Sequence, residues 1–289
     1  MNLSVIIVAY RSTDKLRATL SALFKSVTQL EYEVIVVDND SQDGTFEMVV
    51  EEFPKVKIIK NQNNGFSKGN NVGLQQSSGE VILFLNPDTA VEVDVLEECY
   101  KKINSDKQIG FLSSRLIKED GSLDISARRA FPNPVNSFYR FTNLDKVFPK
   151  YFGSYNLRSI PENQEQEVDS VVGAFMMIRR DVIDKIGKWD EDFFMYGEDI
   201  EYCYRAKQAG YKNIYFPKVT TVHYRGQSSK IVPYFSMYHF HNSMWIFYKK
   251  HYLEKYPFFV SWLVFLGIWM RFYLLVIVNK IRKNPYVSK

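Results

Sequence analysis

Two hydrophobic runs in this chain each end in carboxylates. Residues 34–37 lead into Asp38, Asn39, Asp40 and Ser41, and about fifty residues later Val81–Leu85 leads into Asn86, Pro87 and Asp88. Each run is rich in β-branched and aromatic residues without alternation, the pattern of a strand buried on both faces. Each therefore delivers acidic and amide groups to the carboxyl edge of a parallel sheet, where open α/β sheets bind ligands. One strand ending in Asp marks an ordinary turn. Two of them, flanking the Asn- and Gly-rich loop at 61–65, form a much more specific arrangement.

The surrounding pattern agrees. Residues 3–10 read as a central strand, and a helix opens from Ser12 with Leu16, Leu20 and Leu23 at helical spacing. A strand at 33–38, a turn at 41–44, a helix to Phe53 stopped by Pro54, a strand at 56–60, a helix at 66–77 and a strand at 81–85 follow. This β-α-β-α-β-α-β order predicts an α/β fold with a mostly parallel central sheet and helices on both faces. Past Asp88 a helix is expected at 93–104 and a strand at 109–114. Residues 128–134, with Arg128, Arg129, Pro132 and Pro134, read as no regular element, and 140–167 as an irregular substrate-facing insertion or lid. A strand at 171–179, a helix at 180–186, a turn at 187–191, a helix at 198–209 closed by Gly210 and a strand at 214–222 ending at His223 complete this part.

The remainder differs in kind. Residues 234–252 form an aromatic helical pattern, with Tyr234, Phe235, Tyr238, Trp245 and Tyr248 suited to a headgroup layer. Pro257 precedes 21 residues, 258–278, interrupted only by Arg271. As a helix they span roughly 31 Å, close to the thickness of a bilayer's hydrocarbon core. Lys249, Lys250 and Lys255 lie before this segment and Lys280, Arg282 and Lys283 after it, so flanking charge does not decide whether it crosses. The chain divides into a catalytic unit at 1–228, an aromatic interfacial helix at 229–256, and a hydrophobic membrane-associated helix with a basic tail at 257–289.

A net charge of +4, with Lys and Arg scattered, gives no stripe for nucleic acid. Cys99 and Cys203 occur singly, without metal-ligand spacing, which points to a reducing compartment. The first strand begins almost at Met1, leaving no room for a secretory signal, so the catalytic unit is expected at the cytoplasmic face of a cell membrane.

No G-x-x-x-x-G-K-[ST] loop is present, and Gly65, Gly69 and Gly73 do not make G-x-G-x-x-G after a strand, which disfavours a kinase or a dinucleotide oxidoreductase. Gly69 and Gly73, four apart, give a helix one smooth stripe, for close packing on a sheet or for a flat ligand. Asp38 either accepts hydrogen bonds from a nucleotide or begins a turn. Asp88 is either a turn residue or an oxygen ligand for Mg²⁺ or Mn²⁺, with a bound diphosphate filling the shell. Glu198 and Asp199 either complement a helix N-terminus or supply a general base. His223 is a structural histidine or a metal ligand. Arg128 and Arg129, paired in an irregular stretch, are solvated or contact an anionic acceptor.

Taken in order, Ala9-Tyr10, Val37-Asp38-Asn39, Asn64-Gly65-Phe66 with Gly69, Asn70, Asn71 and Gly73, Asn86-Pro87-Asp88, Gly173-Ala174-Phe175, the run at 193–199, and His223 with Gly226 resemble the GT-A glycosyltransferases of family 2. The resemblance covers about residues 2–228. It is strongest to bacterial rhamnosyltransferases acting on polyprenyl-linked sugars. It implies the GT-A fold and an inverting, non-processive transferase in cell-surface polysaccharide synthesis, with dTDP-L-rhamnose as the candidate donor. Ala9, Tyr10, Asp38, Asn39, Asn64, Gly65, Phe66, Gly69, Asn70, Asn86 and Asp88 would bind the donor. Asp88 and His223 would hold a divalent cation, and Asp199, supported by Glu198, would deprotonate the acceptor hydroxyl. Arg128, Arg129, Gly173, Ala174 and Trp189 would face a glycan or polyprenyl-diphosphate-linked acceptor. The family's usual D-x-D opens here with Asn86, leaving Asp88 as the main carboxylate ligand. The Q-x-x-R-W of processive members is replaced by residues 201–205, which favours addition of a single sugar.

Three other readings compete. A sugar nucleotidyltransferase would need a Gly-rich loop where Tyr10-Arg11-Ser12-Thr13 stands. A scaffold or carbohydrate-binding subunit of a membrane glycan-assembly complex would have no need of Asp38, Asp88 and Asp199 together. A family 2 transferase with a UDP- or GDP-sugar donor would keep all three.

Overall fold

A computed structural model describes residues 1–157, 160–224 and 233–281. Its first half alternates as the sequence predicts: β1 (Leu3–Ala9), α1 (Thr13–Lys25), β2 (Tyr32–Asn39), α2 (Thr45–Glu52), β3 (Lys57–Asn61), α3 (Phe66–Gln75) and β4 (Val81–Leu85). β1 and β4 are buried at every residue, which is why neither run alternates. The order β3-β2-β1-β4 is parallel throughout. Its register sets Asp38 beside Ala9 and Asn61 beside Asn39, so the loops after β1, β2 and β3 open on one edge. Leu85 pairs with Ile7, which brings Asn86, Pro87 and Asp88 out at that same edge.

Beyond β4 the sheet becomes mixed. β5 (Thr89–Val91), α4 (Val95–Ser105) and β6 (Ile109–Ile117) are followed by β7 (Arg128–Arg129), α5 (Pro134–Phe141), α6 (Leu144–Val147), α7 (Pro149–Phe152), β8 (Gln166–Val168), β9 (Ser170–Val171), β10 (Phe175–Arg179), α8 (Arg180–Ile186), α9 (Glu198–Gln208) and β11 (Lys212–His223). β10 lies antiparallel between β4 and β6, and β11 runs parallel to β6 but antiparallel to β5 and β8. The nine-stranded sheet is thus parallel in one half and mixed in the other. β5, too short to stand out in the sequence, carries His223 of β11 into register with Thr89, one residue from Asp88.

Three expectations need correction here. The stretch at 128–134 contains regular structure: Arg128 and Arg129 pair antiparallel with Val171 and Ser170, and α5 starts at Pro134. The Asn133 side chain accepts from the amides of Val135 and Asn136 in a capping box, so Pro134 opens a helix, where its missing amide costs nothing. Residues 140–167 hold α6, α7 and the start of β8. The single strand expected at 171–179 is two: β9 turns away to β7, and β10 begins only at Phe175.

The C-terminal helices are α10 (Pro233–His251) and α11 (Phe258–Ile281). The expected boundary at 228 and 229, together with Gly226, Arg282 and Lys283, lies outside the described residues. α10 is docked on the α/β unit, its Phe247 buried in a cluster with Phe193, Ile200 and Tyr204. Part of the aromatic surface expected in a headgroup layer is therefore spent on protein: Phe235 packs edge-on against Phe194 at 5.2 Å, and Trp245 meets Phe265 of α11 at 5.0 Å.

Candidate active site

The first corner of the site is the end of β2. Asp38 is buried and accepts from the Ser41 amide at 3.1 Å, which turns the chain back along the edge. Asn39 donates to Gly65 O at 3.2 Å and accepts from Asn61 at 2.8 Å, tying β2 to β3 and to the loop before α3. Gly65 is in the left-handed region (φ 102°), and a Cβ there would stand 2.5 Å from Phe194 O. Only glycine meets both demands. The Phe66 amide then donates to Phe194 O at 2.7 Å, clipping the Asn64-Gly65-Phe66 loop to the segment that leads into α9.

The second corner surrounds Asp88. Its Oδ1 lies 3.4 Å from His223 Nε2 and its Oδ2 3.6 Å from Lys15 Nζ, while Lys15 also donates to Tyr224 O at 2.7 Å. The other ring nitrogen of His223, Nδ1, sits 2.9 Å from Asp124 Oδ2, and Asp124 is fully buried. Burial works against a charged imidazole, but hydrogen bonds to Asp124 and Asp88 outweigh it and raise the His223 pKa. Thr19 of α1 braces the turn, donating to Pro87 O and Thr89 O.

These residues suit a divalent cation. Asp124 fixes Nδ1–H as a donor, which leaves Nε2 as the ligating atom, a common outer-shell arrangement for metal-binding histidines. Oδ1 of Asp88 and Nε2 converge to a separation near the roughly 3 Å edge of a shell with metal–ligand distances of about 2.1 Å. Among the described residues no group of three His, Cys, Asp or Glu side chains is arranged around a metal, so a cation here relies on oxygens from a ligand.

The third corner is the start of α9. Tyr196 (φ 69°) and Gly197 (φ 77°) are successive left-handed residues that turn the chain sharply into the helix. Asp199 Oδ2 accepts from Arg129 Nη2 at 2.7 Å and from the Gly173 amide at 3.0 Å, and Oδ1 accepts from the Ile200 amide at 2.8 Å. Arg129 is buried and also donates to Val171 O. Burial opposes its charge, yet the adjacent Asp199 carboxylate holds it firmly protonated. Glu198 has no such partner: burial, then repulsion from Asp199, pushes its carboxyl up to about 8, and its Oε2 is buried without a hydrogen bond. Asn86 is placed beside this corner by its amide, which donates to Ala174 O at 3.0 Å.

Several expected ligand residues are engaged within the protein itself. Arg128 is buried, donating to Ile160 O and Pro161 O, and Arg129 faces Asp199, so neither presents a surface guanidinium. Trp189 is 1% exposed, packed edge-on against Phe84 at 5.0 Å and Phe66 at 5.8 Å. Gly69 faces Val8 and Asn39 and Gly73 faces Ile6, so their stripe is close helix-sheet packing. Asn70 is buried and bonds back to Phe66 O within its own helix. Gly173 and Ala174 are in place as backbone partners of Asp199 and Asn86, while Asn64 is exposed and Tyr10 half-buried at the edge. Lys15, Thr19 and Asp124 escaped the sequence reading. Lys15 leaves one trace, a cation in the first turns of a helix that starts at the ligand edge; Asp124 leaves none.

The family description Glycosyl transferase family 2 fits residues 4–187. The chain belongs to this family. A low-salt glycan biosynthesis hexosyltransferase of Haloferax volcanii is 30% identical over 72% of this chain, which spans 62% of that relative's length. An N-acetylglucosaminyl-diphospho-decaprenol L-rhamnosyltransferase of Mycobacterium tuberculosis is 25% identical over 85% of this chain and 83% of its own, and rhamnosyltransferase WbbL of Escherichia coli is 26% identical over 76% and 82%. Among solved structures, a Pyrobaculum calidifontis mannosyltransferase in complex with GDP-Man and Mn²⁺ superposes with a TM-score of 0.59 at 17% identity, over 86% of this chain and 63% of that one. The likeness supports the GT-A fold. This glycosyltransferase thus gathers three polar corners around the ends of β2, β4 and the start of α9.

Proposed function

We propose that this glycosyltransferase moves one sugar from a nucleoside-diphosphate donor to a hydroxyl of a polyprenyl-diphosphate-linked glycan, with inversion, at the cytoplasmic face of a membrane. The observation that carries this reading is the convergence on one sheet edge of a buried Asp38, the Asp88–His223 pair and the Arg129-bound Asp199. In it, Asp38 and Asn39 receive the nucleoside, and Asp88 and His223 hold a Mg²⁺ or Mn²⁺ ion. When bound, the cation neutralises charge on the diphosphate leaving group. Lys15, beside Asp88, adds a fixed positive charge next to the same group. Asp199 receives the acceptor proton while the Gly173 amide and Arg129 keep it aimed, and burial shifts the neighbouring Glu198 toward its protonated form. An acceptor on the face opposite the leaving group, with a carboxylate base, is the geometry of a single displacement and gives inversion.

The relatives named as rhamnosyltransferases, one acting on a diphospho-decaprenol, favour L-rhamnose as the sugar and a lipid diphosphate as the acceptor anchor. Single addition is supported by α9 itself. Where processive members carry Q-x-x-R-W, Glu201 binds Arg205 at 2.8 Å, and Arg205 reaches Lys188 O, so both are occupied in holding the helix. The test is a panel of dTDP-, UDP- and GDP-sugars with Mg²⁺ or Mn²⁺, read as nucleoside diphosphate released. One donor is expected to dominate, with release stopping on chelation. Metal-independent release would remove the cation from the account, and no release from any donor would remove the transferase activity.

A further inference from the structure

Apart from Lys280 at its end, helix α11 turns its polar residues inward and exposes many of its apolar ones. Ser261 and Asn279 are buried, and Arg271 turns to the same side, where its guanidinium meets His241 Nε2 of α10 at 2.7 Å. The Ser261 hydroxyl meets that of Tyr248 at 3.0 Å. On the other side Phe258, Trp262, Leu266, Met270, Tyr273 and Ile277 are between 44% and 84% exposed. A helix facing water does the opposite.

α10 and α11 lie antiparallel. Tyr248 is beside Ser261, Trp245 beside Phe265, and Tyr238 beside Trp269 and Phe272. Over the same length the other side of α10 rests on the catalytic unit: Phe194 packs on Phe235 and His239, Tyr196 on Phe240, Tyr204 on Phe247, and Lys250 pairs with Asp190 and Asp192 at 2.6 Å. A bilayer crossed by α11 in this arrangement would have to enclose α10 and the acidic 190–199 segment. Hydrocarbon excludes such charges.

A second apolar patch lies on α5 to α7. Val135, Phe138, Val147, Phe148 and Tyr151, from α5 to α7, are between 52% and 74% exposed, with Lys146 and Lys150 exposed among them. Arg271, on the inner side of α11, links that helix to the end of α5, its guanidinium 5.0 Å over the ring of Phe141. Two segments distant in sequence thus present aromatic side chains from adjoining elements, with lysines at the margin. That combination fits an anionic lipid surface, into which aromatics dip while lysines meet headgroups.

We propose that α11 lies in the plane of an anionic leaflet, on the same side as the catalytic unit, and that the α5–α7 insert is a second contact with that leaflet. Two measurements on the full chain test it. Cys99 and Cys203 are buried, so an engineered cysteine can be followed with a membrane-impermeant maleimide. Val50→Cys on α2 and Lys280→Cys at the end of α11 should label in the same orientation of sealed membrane vesicles; labelling in opposite orientations means that α11 crosses and overturns the in-plane placement. For the insert, Phe148→Ser with Tyr151→Ser should lower partitioning onto phosphatidylglycerol-containing vesicles about tenfold or more, with donor hydrolysis unchanged. Lys146→Glu with Lys150→Glu should lower it about fivefold per lysine on those vesicles and leave neutral phosphatidylcholine vesicles unaffected. Unchanged partitioning of both pairs would remove the insert from the membrane face.

Discussion

Both oxygens of Asp199 already accept hydrogen bonds, from Arg129, Gly173 and Ile200, so this carboxylate is held in one rotamer and one direction. Aim, more than raw basicity, is what such a site supplies, and an amide in its place preserves the shape but cannot take a proton. Asp199→Asn is expected to bind donor normally and lose about 10²–10⁴-fold in transfer rate; isothermal titration with the nucleotide and a single-turnover assay separate the two, and a crippled Glu198→Gln with an active Asp199→Asn would move the base. Arg129→Ala leaves Asp199 buried without its counter-ion and should cost about 3–5 kcal/mol, read from the denaturant midpoint. Around the cation, Asp124→Asn should weaken metal affinity about 10–100-fold without touching the ligands themselves, measured as the Mn²⁺ concentration for half-maximal activity. The sequence made Asp38, Asp88, Asp199 and His223 legible because each ends a strand or opens a helix. Their pairings were not: Asp124 meets His223, and Arg129, expected to face an acceptor, meets Asp199, across 99 and 70 residues of sequence, and no local pattern records such a meeting.

At the scale of elements, the start of α9 carries a pH signature. Burial and the neighbouring Asp199 raise Glu198 from the ordinary 4.5 to about 8, so the folded chain keeps a proton that the unfolded chain releases. Its contribution to stability is therefore full below about 4.5 and lost as pH rises through about 8. Denaturant midpoints measured across this window should fall for the native protein, and Glu198→Gln should remove that part of the slope. α3 carries a packing signature. A Cβ on Gly73 would collide with the Cγ2 of Ile6 in fully buried β1, so Gly73→Ala should destabilise by about 1–3 kcal/mol, whereas a ligand-contact role would leave stability unchanged and alter donor affinity. Elements with unbroken hydrophobic patterns were readable in advance. Those at 128–152 were not, because β7 is two arginines whose strand character comes only from pairing with β9, and because Pro134 opens a helix under an Asn133 cap.

For the molecule as a whole, the parallel half of the sheet follows from alternating strand and helix patterns, while the mixed half depends on β10 inserting between β4 and β6, a long-range pairing that leaves no periodicity. The role of α10 was similarly hidden: its aromatics look alike in sequence, and only the fold divides them between Phe193, Tyr204 and α11. What the assembled molecule offers is an exposed apolar face on α11, held by α10 to the unit that carries the polar corners. The central claim, transfer of a single sugar with inversion, is tested most directly by the product. Full-length protein is incubated with dTDP-L-rhamnose, Mg²⁺ and a GlcNAc-diphospho-polyprenol, and the lipid product is analysed by mass spectrometry and NMR. The account predicts one added deoxyhexose and an anomeric configuration opposite to that of the donor; a ladder of additions, or a product retaining the donor's configuration, would contradict it.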